Sequence, residues 1–204
     1  MTRRAAAGLV AASLLLVSGC GRDAREPPVA ELPPGSSSRI ELADYPVGGE
    51  FELTDQDGER FRISAARGKV VLLFFGYTSC PDVCPLTMSK LTQAFGALGP
   101  DAVDVLSVFV SLDPERDTPE RIKSYLSFYG MNAVGLTGSK EEIDAVVELH
   151  KASYHVEPVD SAVEYLISHS SYIYLIDQEG DVRYLFSHLD DGDRIATGVR
   201  LLLD

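Results

Sequence analysis

The run Val70-Val-Leu-Leu-Phe-Phe75 is followed at once by Gly-Tyr-Thr-Ser-Cys80-Pro-Asp-Val-Cys84-Pro. Consecutive apolar residues leave the run no polar face, so it reads as a strand buried on both sides of a sheet. Covering both faces takes helices above and below, which confines the chain to an α/β architecture. The strand then opens into a segment carrying two of the three cysteines, four residues apart. Residues i and i+4 on a helix share a face, so a helix beginning near Cys80 aims both sulfurs into one small volume. At a helix N-terminus the dipole and the free N–H groups favour a thiolate. Two such sulfurs can close a disulfide or hold a soft metal such as Cu(I) or zinc. Pro81 suits a first helical turn, whereas Pro85, one turn in, calls for a distorted one.

The surrounding sequence extends this frame. Residues 51–63 alternate about Asp57-Gly58 and predict a hairpin. Met88, Leu91, Phe95 and Leu98 recur at helical spacing until Gly99-Pro100. Residues 103–112 read as a second buried strand ending at Asp113-Pro114. Thr118-Pro119 opens a helix with a hydroxyl cap and proline at the first position. A short strand follows over 134–137, and Ser139 with Glu142 forms a capping box for another helix. Residues 152–168 lack periodicity and read as a long loop. A strand over 170–176, a turn at 178–181, a strand over 182–186 and a helix over about 190–203 complete the chain. The expected fold is an α/β central sheet with helices on both faces and an N-terminal β-hairpin. The dithiol after the first central strand and the closing hairpin and helix resemble the thioredoxin architecture.

The N-terminal residues predict export. Arg3 and Arg4 precede an apolar run from Ala5 to Val17, and Ser18-Gly19-Cys20 follows. A basic start, a short apolar run and small residues before a cleavage point describe a signal peptide over residues 1–19. The run is shorter than the about 20 apolar residues that a spanning helix requires. The segment around Cys20 resembles a bacterial lipobox, in which that cysteine carries lipid. Residues 20–40, rich in Pro, Ser, Gly and Glu, read as a flexible tether reaching roughly 25 Å. A single domain over 41–204 follows. The expected location is outside the cytoplasm, with a bacterial membrane engaged through the lipid anchor only. Without residues 1–19 the chain has 16 basic and 31 acidic side chains, a net charge of −15. So acidic a surface argues against nucleic acid and suits a basic protein partner. With Cys20 lipidated, the domain itself keeps two cysteines, Cys80 and Cys84, in a disulfide-permissive compartment.

Three segments resemble the signatures of the Sco/SenC copper proteins. They are Phe74-Phe-Gly-Tyr-Thr-Ser-Cys80-Pro-Asp-Val-Cys84-Pro, Ser111-Leu-Asp113-Pro-Glu-Arg-Asp-Thr-Pro119 and His169-Ser-Ser-Tyr-Ile-Tyr-Leu-Ile-Asp177, in matching order within a likeness over about 45–204. The resemblance implies copper as the bound metal, with Cys80, Cys84 and His169 as its ligands. It implies a metallochaperone that assists assembly of the copper-A site of cytochrome c oxidase. The implied partners are subunit II of that oxidase or another copper protein, and other periplasmic copper chaperones. Two sulfurs and one imidazole suit Cu(I), and Cu(II) with added ligands. Thioredoxins place a proline where this chain, with none after Pro158, brings His169. That histidine is expected to open the strand beside the dithiol strand. Read alone, it is equally a strand-end histidine bonded to backbone.

Other readings use the same residues. Cys80 and Cys84 would serve as the redox-active pair of a thiol-disulfide oxidoreductase that keeps partner cysteines reduced, so whether the protein is an enzyme stays open. A peroxiredoxin-type peroxidase expects a threonine three residues before its cysteine, but Thr78 is two before Cys80 and residue 74 is Phe. Asp113, at a strand end, is a candidate to orient a ligand without touching the metal, and equally an ordinary turn residue. His150 falls on an apolar helix face and reads as a core histidine. His155, His188 and Asp82 read as loop residues, and Tyr77 and Met88 as packing residues.

Overall fold

The computed structural model describes residues 39–159 and 165–203. The signal peptide, Cys20 and nearly all of the tether lie outside them. The predicted hairpin is present as β1 (Glu52–Asp55) and β2 (Arg60–Arg62), paired antiparallel with Leu53 opposite Phe61. The apolar run forms β3 (Val70–Gly76), buried at every position. It is followed by α1 (Val83–Leu98), β4 (Val105–Ser111), α2 (Pro119–Ser127), β5 (Ala133–Thr137) and α3 (Lys140–Leu149). A ribbon of β6 (Tyr154–Pro158) and β7 (Tyr165–His169) precedes β8 (Ile173–Ile176), β9 (Val182–Phe186) and α4 (Gly192–Leu203). The main sheet has the order β2-β1-β5-β4-β3-β8-β9, and β6-β7 forms a separate two-stranded sheet.

The helix starts follow from local chemistry. Thr118 Oγ1 accepts the Arg121 N–H ahead of Pro119, and Ser139 and Glu142 form the reciprocal capping box. Phe74 and Phe75 point to opposite faces of the sheet, as the strand period requires. Phe74 meets Phe109, whose ring in turn meets Tyr125 of α2. Phe75 meets His150 and Tyr174. His150 is a core histidine, as expected: it is buried and its Nδ1–H donates to the Val146 carbonyl at 2.8 Å.

Register decides where the loops emerge. Strands β3 and β4 run parallel with Gly76 opposite Ser111, so both end at the same level. Strand β8 runs antiparallel to β3 with Ile173 opposite Phe74, so the chain entering β8 comes from that same end. The carboxyl end of a parallel sheet is where sites gather in α/β folds. Here it receives the loop after β3, the loop after β4 and the link from β7 to β8.

Three expectations need correction. Residues 152–168 are not a loop over their described part, because Tyr154 pairs with His169 and Val156 with Ile167 in the ribbon. Helix α1 starts at Val83 rather than near Cys80. Pro85 is therefore the third helical residue, inside the first turn, where its missing N–H costs no helical bond and no distortion is needed. His169 closes β7 instead of opening the strand beside β3.

Candidate metal centre

The donor atoms of Cys80, Cys84 and His169 all lie within 4.8 Å of one another. Each comes from a different local structure. Cys80 sits in the loop before α1, partly exposed, and its Sγ faces the free N–H groups at the helix start. It accepts the Cys84 N–H at 3.5 Å. Cys84 is the second residue of α1 and is fully buried. The space for its sulfur exists because residue 76 is glycine. A Cβ there would lie 2.8 Å from Phe74 Cε1, 2.9 Å from Phe109 Cε2 and 3.1 Å from Cys84 Sγ. His169 arrives from the ribbon, its ring edge-on to Phe74 and Tyr77 at centroid distances of 6.0 and 6.2 Å.

The imidazole is oriented for ligation. Its Nδ1 lies 3.0 Å from the Ser170 carbonyl, and its Nε2 lies 3.5 Å from Cys84 Sγ. A carbonyl can only accept, so this contact assigns the proton to Nδ1 and turns the Nε2 lone pair toward the sulfurs. Metal-binding histidines commonly anchor their second nitrogen this way. The backbone bond expected of an ordinary strand-end histidine is therefore present, and it also leaves a ligand atom facing the thiols.

The two thiols are free and electrostatically unequal. The Cys84 S–H donates to Cys80, and the N–H groups of Asp82 and Cys84 add to it, so the Cys80 thiol is held far below its ordinary value. The same contact with Cys80, reinforced by burial, pushes the Cys84 thiol up. The metal-free pair is thus a thiolate accepting from a thiol. Burial likewise raises the Tyr77 phenol, whose Oη accepts the Ile167 N–H at 3.2 Å.

Asp113, the candidate for orienting a ligand, makes its side-chain contacts with its own turn and with the ribbon. It is buried, its Oδ2 accepts from Arg116 Nε at 2.5 Å, and its Oδ1 accepts from the Tyr165 hydroxyl at 2.6 Å. Its hold is on the ribbon. The acid on the cysteine side is Asp117, which the sequence reading missed. Asp117 is fully buried and accepts the Thr78 N–H at 2.9 Å and the Thr78 hydroxyl at 2.5 Å. Its spacing from Asp113 was visible in the sequence, but its burial was not. His155 and His188 are exposed and lie outside the donor cluster, and Tyr77 and Met88 are buried, as expected.

The sequence matches the SCO1/SenC family over residues 41–204. A SCO2-like protein of Rickettsia felis is 39% identical over 151 residues, 74% of each chain. The human mitochondrial SCO1 homolog is 35% identical over 157 residues, 75% of this chain and 52% of the human one. Two solved relatives are similar in fold. ScoI of Bradyrhizobium japonicum with copper bound is 36% identical at a TM-score of 0.71, covering 76% of this chain and 99% of that one. ScoI of Arabidopsis thaliana with copper bound is 35% identical at a TM-score of 0.73, covering 77% and 98%. A thioredoxin-like sheet with its thiols at the carboxyl end of β3, matched along almost the full length of these relatives, places the chain in the SCO1/SenC family.

Proposed function

We propose that this domain binds copper through Cys80, Cys84 and His169 and passes it on during assembly of the copper-A site of cytochrome c oxidase. The observation that carries the reading is the convergence of two sulfurs and an unprotonated imidazole nitrogen within 4.8 Å. The donor set fits the cargo: thiolates and imidazole are the ligands soft copper prefers. Donors about 2.0–2.3 Å from a metal in a trigonal plane stand about 3.8 Å apart, so a small contraction closes the site. The copper-bound relatives support the choice of metal. BsSco, 26% identical, is described as a member of the Sco family of cytochrome c oxidase assembly proteins, which supports the role. Subunit II of the oxidase, another copper protein or a further copper chaperone is the proposed partner. Asp113 acts, in this reading, through the ribbon rather than on a ligand.

The reduced domain should bind about one copper, and a Cu(II)–thiolate charge-transfer band should vanish in Cys80→Ala. His169→Ala should weaken Cu(II) binding sharply while both thiols remain titratable. Unchanged affinity in that variant removes His169 from the ligand set.

The unequal thiols favour a second role for the same pair, as a reductant of partner disulfides. The Cys80 thiolate would attack a disulfide sulfur, displace one partner thiolate and form a mixed disulfide. Cys84, losing its proton, would then displace the second, leaving a Cys80–Cys84 disulfide and a partner reduced by two electrons. BsSco is described as having a disulfide switch. Export and lipid anchoring through Cys20 complete the proposal, with residues 20–40 as the tether. A SCO1/SenC relative from Bacillus anthracis is a lipoprotein, and no helix among the described residues is long and apolar enough to cross a membrane.

A further inference from the structure

The turn after β4, Asp113-Pro-Glu-Arg-Asp117, lies between the two arms of the centre and grips each of them. On the cysteine side, Asp117 accepts the N–H and hydroxyl of Thr78 and, at 2.6 Å, the hydroxyl of Ser111. Arg121, 3.7 Å from the same carboxylate, donates to Thr78 Oγ1 at 2.7 Å and to Ser79 Oγ at 2.9 Å. Thr78 and Ser79 are the two residues before Cys80. On the histidine side, Asp113 takes the Tyr165 hydroxyl and the Arg116 guanidinium. Arg116 also donates to the Tyr165 carbonyl at 3.1 Å and lies 3.6 Å over the Tyr165 ring. Tyr165 begins the strand that His169 ends.

The turn is itself braced. The Asp113 carbonyl accepts the Arg116 and Asp117 N–H groups at 3.1 and 2.8 Å. The Ser111 hydroxyl oxygen accepts the Asp113 N–H at 3.1 Å while donating its proton to Asp117. Burying two carboxylates at one turn is unfavourable unless their donors compensate, and a simple connection needs neither. Here the donors include Thr78 and Tyr165, which lie on the segments that carry the ligands.

We propose that this turn is a bracket that sets the separation of the thiol pair from the imidazole. Asp117, with Arg121, positions Cys80; Asp113, with Arg116, positions His169 through Tyr165. All are positioning residues, and none touches the metal. The inference rests on the copper reading for its purpose, but the bracket is a property of the metal-free protein and is testable there.

The test compares Asp117→Asn and Arg116→Ala with the wild-type domain in the reduced, metal-free state. The readouts are the alkylation rate of Cys80 by iodoacetamide and the ¹⁵N resonances of the His169 imidazole. Cu(II) affinity by chelator competition is then measured. Asp117→Asn should change the Cys80 rate several-fold and leave the His169 resonances in place. Arg116→Ala should shift those resonances and leave the Cys80 rate. Each should lower copper affinity about 10- to 100-fold, as losing a ligand's supporting contact does. Where either variant fails to fold, Arg121→Ala and Tyr165→Phe remove one contact on the same two sides and should move the same readouts in the same directions. The proposal is overturned if the folded variants leave both arms at wild-type values, or if each disturbs both arms alike. Should the wild-type domain bind no copper, the functional reading fails, and the two metal-free readouts still decide the bracket.

Discussion

At the scale of single residues, the centre depends on what each side chain can donate or accept. Cys80 and Cys84 are chemically the same group, yet one is a thiolate and the other its hydrogen-bond donor. An ordinary thiol near pKa 8.5 alkylates about tenfold faster for each pH unit gained below that value. The Cys80 value is lowered, so its thiolate persists on going down from neutral pH and is lost only when the pH falls through the depressed value. Mass-spectrometric alkylation of the reduced domain should therefore show Cys80 reacting at a nearly constant rate from about pH 8 down to about pH 6, with Cys84 lagging. A tenfold fall per unit at Cys80 would mean an unperturbed thiol. The cysteines and His169 were legible because few residue types bind soft metals. Gly76 was not, since its role is to leave room for a sulfur that only the folded chain brings there.

At the scale of elements, capping and periodicity located most helices and strands, and they failed where tertiary contacts took over. Helix α1 starts three residues after Cys80, although the sulfur spacing suggested otherwise. The Cys80 sulfur itself takes up N–H groups at the helix start, which Asp82, without a side-chain cap bond, leaves free. The ribbon showed no alternation because its first strand is largely exposed and its order depends on contacts with Asp113, Arg116 and Tyr77. Close approach of α2 to β5 rests on one residue. A Cβ on Gly135 would lie 2.1 Å from Ile122 Cγ2 and 2.7 Å from Leu126 Cδ1. Gly135→Ala should lower stability by about 1–3 kcal/mol, the usual cost of overpacking. Urea unfolding should show a lower midpoint at an unchanged slope. An unaltered midpoint would mean that α2 shifts outward without cost.

At the scale of the molecule, the sheet is the rigid part and the ribbon its attachment. Every residue of β3 and β4 is buried, whereas most of β6 faces solvent. Hydrogen exchange of the metal-free domain should place β3 and β4 amides near the limit of global unfolding and those of the ribbon well below it. Copper bridging the thiols and His169 should slow exchange in the ribbon far more than in β3. Equal slowing in both would argue against a metal that ties the two together.

The sequence by itself determined the buried strand, the thiol pair at its end, the strand–helix alternation that makes β3, β4 and β5 parallel neighbours and the residue types that suit copper. Those features are local: they rest on periodicity, turn and cap chemistry, and the donor atoms of single side chains. Only the tertiary structure decided which acid serves which arm, where α1 begins, that residues 154–158 pair with 165–169, and that Nε2 of His169 faces the sulfurs. Each of these depends on burial and on hydrogen bonds between residues far apart in the chain, from Thr78 with Asp117 to Asp113 with Tyr165. No local pattern encodes such pairings, because their free energy arises only when the sheet register sets the three loops side by side.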